Sequence, residues 1–129
     1  MPGIQRRRMK GIVAILGASD KPRRYAYKAM KALESRGEEF RLVNPRLGHV
    51  DGHECVGCIK EIGEPIDTVT VYLRPENLRD VVGGVAFARP RRVILNPGAE
   101  DPVSRKVLEE EGIEVVEACT LVMLSTSQF

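Results

Sequence analysis

Residues 12–24, IVAILGASDKPRR, decide how the chain is read. Ile12, Val13, Ala14, Ile15 and Leu16 form an unbroken apolar run without the period-2 alternation of a strand that has one wet face, so they read as a parallel strand covered on both sides. Gly17 ends it. Gly17, Ala18 and Ser19 keep side-chain bulk low at the turn, and Pro22, with its preset φ and missing N–H, suits the first turn of a following helix. Strand, tight turn and helix N-terminus together present free N–H groups and the positive end of a helix dipole, a setting that favours a phosphate or diphosphate. Lys21, Arg23 and Arg24 add positive charge there. Of the three glycines of the dinucleotide fingerprint only Gly17 stands in place, so the turn by itself does not separate an anion site from a plain connection flanked by solvated cations.

Outward from this stretch the pattern alternates. Ala26, Ala29, Met30 and Leu33 recur at i, i+3, i+4 and i+7, the stripe of a helix that closes at Gly37. Phe40, Leu42 and Val43 make a second strand, ended by Asn44-Pro45. Residues 46–63 are loop-rich, with a helical turn near Ile59. Residues 68–73, TVTVYL, are a third strand, and Arg74-Pro75 opens a helix bearing Leu78, Val81, Val82 and Val85. Gly83 and Gly84 lie inside it and imply close packing or an early end. Val93, Ile94 and Leu95 are a fourth strand, and Asn96-Pro97-Gly98 a turn. Asp101-Pro102 then serves as N-cap and first position of a helix with Val103, Val107 and Leu108. After the stop at Gly112, Ile113, Val115 and Val116 form a fifth strand; the tail from Cys119 to Phe129 is apolar without a clear period. The expected fold is a single α/β domain, residues 1–129, with a doubly wound, Rossmann-like parallel sheet of five strands in the order 3-2-1-4-5 and a basic arm at residues 1–10.

Composition narrows the function. Twenty basic against eighteen acidic residues leave a formal charge of +2, too balanced to indicate a nucleic-acid or membrane-surface partner. No apolar segment reaches membrane-spanning length, and three cysteines without a secretory signal imply reduced thiols and a cytoplasmic location. In a doubly wound sheet the ligand crevice lies at the carboxyl ends of the strands. The loops Gly17-Ala18-Ser19, Asn44-Pro45, Arg74-Pro75 and Asn96-Pro97-Gly98 all fall at that edge, within reach of one nucleotide-like ligand. The end of the second strand, where an NAD site carries Asp or Glu, is Asn44-Pro45-Arg46. A neutral residue followed by a cation favours a phosphorylated ribose, as in NADP or the 3′-phosphorylated adenosine of coenzyme A.

Taken in order, VAILGASDKPRR, the VNP of residues 43–45, IGEPIDTV, YLRPENL at residues 72–78, NPGAED at residues 96–101 and EVVEAC at residues 114–119 resemble the small stand-alone coenzyme A-binding Rossmann proteins. Those are related to the coenzyme A-binding domain of succinyl-CoA synthetase alpha subunits and of nucleoside-diphosphate-forming acyl-CoA synthetases. The resemblance implies that Gly17, Ala18, Ser19 and Lys21 hold the diphosphate, with Arg23 or Arg24 nearby. Asn44 and Pro45 would border the adenosine, Leu73, Arg74 and Pro75 would lie against the nucleotide, and Pro97 and Gly98 would flank the pantetheine arm. Asn96 departs from the larger residue of many relatives. The synthetases work through a phosphorylated histidine in a further domain; His49 and His53 are in the wrong part of the chain for that role. The expectation is therefore a non-catalytic binding module for coenzyme A or acyl-CoA, a carrier or sensor, as a homo-oligomer or a trans-acting synthetase subunit. The alternative is an NAD- or NADP-binding redox sensor or oxidoreductase fragment.

Two further features have plainer readings. His49, His53, Cys55 and Cys58 carry the donor chemistry of a zinc site, but Gly52 and Gly57 loosen the loop, and small packed cysteines account for it better, so no metal is expected. Cys119 reads as a core cysteine in preference to a thiol poised for a mixed disulfide with coenzyme A. Arg89, Arg91 and Arg92 read as surface charge.

Overall fold

The computed structural model describes residues 11–129, so the basic arm expected at residues 1–10 lies outside the described residues. The elements run β1 (Ile12–Leu16), α1 (Tyr25–Ser35), β2 (Phe40–Val43), β3 (His49–Val50), β4 (His53–Val56), a 3₁₀ turn (Ile59–Glu61), β5 (Ile66–Val71), α2 (Pro75–Ala88), β6 (Arg92–Leu95), α3 (Pro102–Glu110), β7 (Glu114–Glu117) and α4 (Thr120–Ser125). The fold is α/β and Rossmann-like, with all strand pairs parallel except the β3–β4 hairpin.

The sheet corrects the expected topology. Among the described residues it has seven strands in the order β3-β4-β2-β1-β5-β6-β7, not five in the order 3-2-1-4-5. The five strands expected from the sequence stand as 2-1-3-4-5, the other common doubly wound arrangement. Burial explains it. Every residue of β1 and of β5 is buried, so both strands need neighbours on each side, and they pair with one another from Val13–Thr68 to Leu16–Val71. The half-wet segment HVDGHECV instead folds into β3 and β4 and takes the outer edge of β2, in register Leu42–Cys55 and Val43–Val56.

Strand alternation builds two cores from one sheet. Val13, Ile15 and Leu42 face α1 and α4, where Ala26, Met30, Leu33 and Leu124 meet them. Ala14, Leu16, Val69, Val93 and Leu95 face α2 and α3, against Leu78, Val82, Val85 and Leu108. The α1 stripe is the expected one: Ala26, Ala29, Met30 and Leu33 are its buried residues. On α2 and α3, by contrast, Val81 and Val103 are exposed, and Gly84 packs close to the 3₁₀ turn, where a Cβ would lie 3.5 Å from Ile59 Cγ2. Arg92 is not surface charge. It is 5% exposed, its Nε donates to Thr68 Oγ1, and its guanidinium lies 4.7 Å from the centre of the Phe129 ring.

Candidate functional site

The winding reverses between β1 and β5, and Gly17 closes that point. The residue has φ +91°, and a Cβ there would stand 3.0 Å from the carbonyl carbon and oxygen of Tyr72 and from Leu73 Cδ2, so glycine is required both by conformation and by close approach. The amides of Gly17 and Ala18 both donate to the Val43 carbonyl, at 3.0 and 3.1 Å. These two N–H groups are therefore engaged in joining β1 to β2, and the donors left for an anion come from later in the loop and from α1.

Helix α1 starts at Tyr25, three residues after Pro22, because residues 21–24 form a turn of their own. Arg24 N donates to Lys21 O at 2.9 Å with Pro22 in the second position, where its φ fits. Ser19 Oγ accepts from the Lys21 amide at 3.1 Å. Among the described residues no side chain caps the helix, and no acidic residue stands in its first turn, so its leading N–H groups and dipole face outward uncompensated by them. Lys21, Arg23 and Arg24 are exposed, and none of them is paired with a carboxylate among the described residues.

Two cavities open at this edge and share Gly17 and Leu73. The larger, 560 Å³, is lined among others by Asn44, Pro45, Arg46, Cys58, Lys60 and Asn77. The smaller, 260 Å³, is lined by Ser19, Arg24, Tyr25, Tyr72, Arg74, Pro97, Gly98 and their neighbours. Most of the residues singled out from the sequence are thereby brought together along one crevice. Ala18, Lys21, Arg23 and Pro75 line neither cavity: Ala18 is buried beneath the turn, and Pro75 is the first residue of α2. Asn44 does more than border the site. Its Nδ2 donates to Ala18 O at 2.7 Å and its Oδ1 accepts from Arg46 N at 2.8 Å, which fastens the β1 loop to the β2 loop. Lys60, Cys58 and Asn77 were not foreseen as lining residues. The one available signal was the helical turn near Ile59, which carries Lys60 to the crevice.

Behind the smaller cavity lies a buried polar cluster. Asn96 Nδ2 donates to Thr70 Oγ1 and to Val71 O at 2.8 and 2.9 Å, its Oδ1 accepts from Thr120 N, and the hydroxyls of Thr70 and Thr120 meet at 2.8 Å. Asn96 thus locks α4 to the ends of β5 and β6, and does not line either cavity. The Tyr72 hydroxyl is buried beside this cluster without a well-formed hydrogen bond among the described residues, and burial raises its pKa above the ordinary phenol value, Thr70 and Thr120 opposing.

The four zinc-type donors are dispersed by the hairpin. His53 lies 3.0 Å from Glu34 Oε2, Cys55 is buried and donates to Asn44 O at 3.7 Å, and His49 and Cys58 are exposed. Among the described residues no group of three or more His, Cys, Asp or Glu side chains is arranged to hold a metal ion. Burial raises the Cys55 thiol pKa, in keeping with a packed cysteine. Cys119 is half-buried at the N-cap of α4.

A mostly parallel sheet with its crevice at the switch point defines a Rossmann-like nucleotide-site architecture. The chain belongs to the CoA binding domain family, whose model matches residues 12–125. It is similar to the uncharacterized protein YneT of Bacillus subtilis (strain 168), 39% identical over 69 residues, or 54% of this chain and 51% of that protein, so the match spans about half the length of the curated relative. The crystal structure of an uncharacterized protein superposes with a TM-score of 0.86 at 41% identity, covering 95% of this chain and all of that one. The fold also recurs in the dinucleotide-forming acetyl-coenzyme A synthetase 1 of Ca. Korarchaeum cryptofilum, with a TM-score of 0.72 at 16% identity over 83% of this chain and 26% of that one. Among the described residues no helix is long and apolar enough to cross a membrane.

Proposed function

We propose that the chain binds coenzyme A or an acyl-CoA across this crevice and acts as a non-catalytic carrier or sensor. The observation that carries the reading is the pair of cavities joined at Gly17 and Leu73 and flanked by the uncapped N-terminus of α1. The diphosphate sits over that shared point, near the leading amides of α1, Ser19 and the cations Lys21, Arg23 and Arg24. The adenosine lies in the larger cavity, beside Asn44 and Pro45, where Arg46 and Lys60 supply charge for a 3′-phosphate. The pantetheine arm follows the smaller cavity past Leu73, Arg74, Pro97 and Gly98. Family membership supports the choice of ligand, and the neutral Asn44 after β2, where an NAD site would place a carboxylate, with Arg46 two positions on, favours a phosphorylated ribose.

Thermal unfolding in the presence of coenzyme A, dephospho-coenzyme A, NADP and NAD tests this reading. Coenzyme A at about 100 times its dissociation constant is expected to add about 2.7 kcal/mol of apparent stability, with a smaller gain from the dephospho form. A larger shift with NADP than with coenzyme A would overturn the reading in favour of a redox protein.

A further inference from the structure

The two cavities differ in chemistry as well as in size. Both carry charge, Arg46, Lys60 and Asp80 in the larger and Arg24 and Arg74 in the smaller, but among the described residues the larger has no aromatic side chain, whereas the smaller has two of the three tyrosines of the chain, Tyr25 and Tyr72. Tyr25 is the more unusual. It opens α1, is 65% exposed, and has Lys28 Nζ 5.3 Å from its ring centre. A ring that lines a cavity with most of its surface in water gains from a ligand segment that covers it, and methylenes do that better than phosphate groups, for which Arg24 and Arg74 are the matching partners.

We propose that Tyr25 is a specificity residue that recognises the pantetheine arm, a chain of amides and methylenes, and so separates coenzyme A from nucleotides that lack it. This rests on the coenzyme A reading above. Methylenes laid on the ring remove apolar surface from water, and the arm's amides lie against a face that tolerates their dipoles. Adenosine 3′,5′-bisphosphate, which has the adenosine and the 3′-phosphate but no arm, makes no such contact.

Calorimetry on the unaltered chain, Tyr25→Ala and Tyr25→Phe, each with coenzyme A and with adenosine 3′,5′-bisphosphate, tests the assignment. Tyr25→Ala is expected to weaken coenzyme A binding about tenfold, while bisphosphate affinity stays within about twofold. Tyr25→Phe keeps the ring and keeps the coenzyme A affinity. Because the chain has no tryptophan, tyrosine emission is a second readout: coenzyme A changes it, and Tyr25→Phe reduces the change, Tyr72 in the same cavity supplying the remainder. Equal effects of Tyr25→Ala on both ligands, or none on either, overturn the role of Tyr25 and leave the coenzyme A reading intact. Failure of the unaltered chain to bind coenzyme A overturns both.

Discussion

The amino ends of α1 and α3 both follow a strand onto the carboxyl edge of the sheet, and they are finished in opposite ways. At α3 the protein supplies its own anion: Asp101, 1% exposed, accepts from Ser104 N at 3.1 Å and Ser104 Oγ at 2.6 Å, and the Arg79 guanidinium reaches across from α2 at 2.8 to 3.1 Å. At α1 there is no side-chain cap and no acid in the first turn, and cations stand where the acid would be. The same electrostatic demand is met internally at one helix and left open at the other, and the open one adjoins the crevice. A helix end that gives up a cap worth about 1 kcal/mol is the one available to a ligand.

The contrast is most severely tested at Asp101. Asp101→Ala removes the cap and leaves the buried Ser104 hydroxyl without its acceptor, while the half-exposed Arg79 turns to solvent, and is expected to lower the free energy of unfolding by about 2–3 kcal/mol in urea titrations, with little change in ligand affinity per folded molecule. Loss of binding without loss of stability would erase the distinction between the two helices. Arg24→Asp installs on α1 what α3 already has. The variant should gain about 1 kcal/mol of stability and lose at least about tenfold in coenzyme A affinity, and tighter binding would refute the placement of the diphosphate. Lys21→Ala with Arg23→Ala should weaken binding several-fold and reduce its salt dependence while stability stays within about 0.5 kcal/mol, because both side chains are exposed and unpaired.

The smallest expected difference is in pH dependence. The Arg79 guanidinium, with help from Ser104, holds the Asp101 carboxyl well below the usual carboxylate range, which the buried environment opposes. A carboxyl whose folded pKa is depressed contributes its stability fully above the unfolded value of about 4 and loses it as the pH falls below that. Asp101→Asn should therefore give a shallower acid limb of stability against pH than the unaltered chain, and Arg24→Ala should leave that limb unchanged.

Much of this was legible in residue patterns. The unbroken run of β1 and the stripe of α1 specified which faces are buried, and Asp101-Pro102 specified how α3 begins. Sheet order was harder to read because it depends on which strand can tolerate an edge. The deciding residues are the exposed His49, Asp51 and Glu54, whose segment has the composition of a loop and pairs with β2 through only two registered positions. Without it, β5 had no visible reason to leave the outside of β2 and join β1. Helix α4 was missed because its cap comes from afar: Thr120 N donates to Asn96 Oδ1, a partner 24 positions away. In the crevice, residues near Gly17 were found from turn chemistry, whereas Lys60 and Asn77 reach it only through the packing of the 3₁₀ turn on α2.

The bridge made by Asn44 between Ala18 O and Arg46 N bears on how quickly the crevice fills. Loops stitched together before any guest arrives have little left to arrange, so the entropy of ordering them is already settled at folding. Capture should then resemble the docking of two stiff bodies, with the encounter rate governed by diffusion and by the pull of the cations, and residence time by the contacts made afterwards.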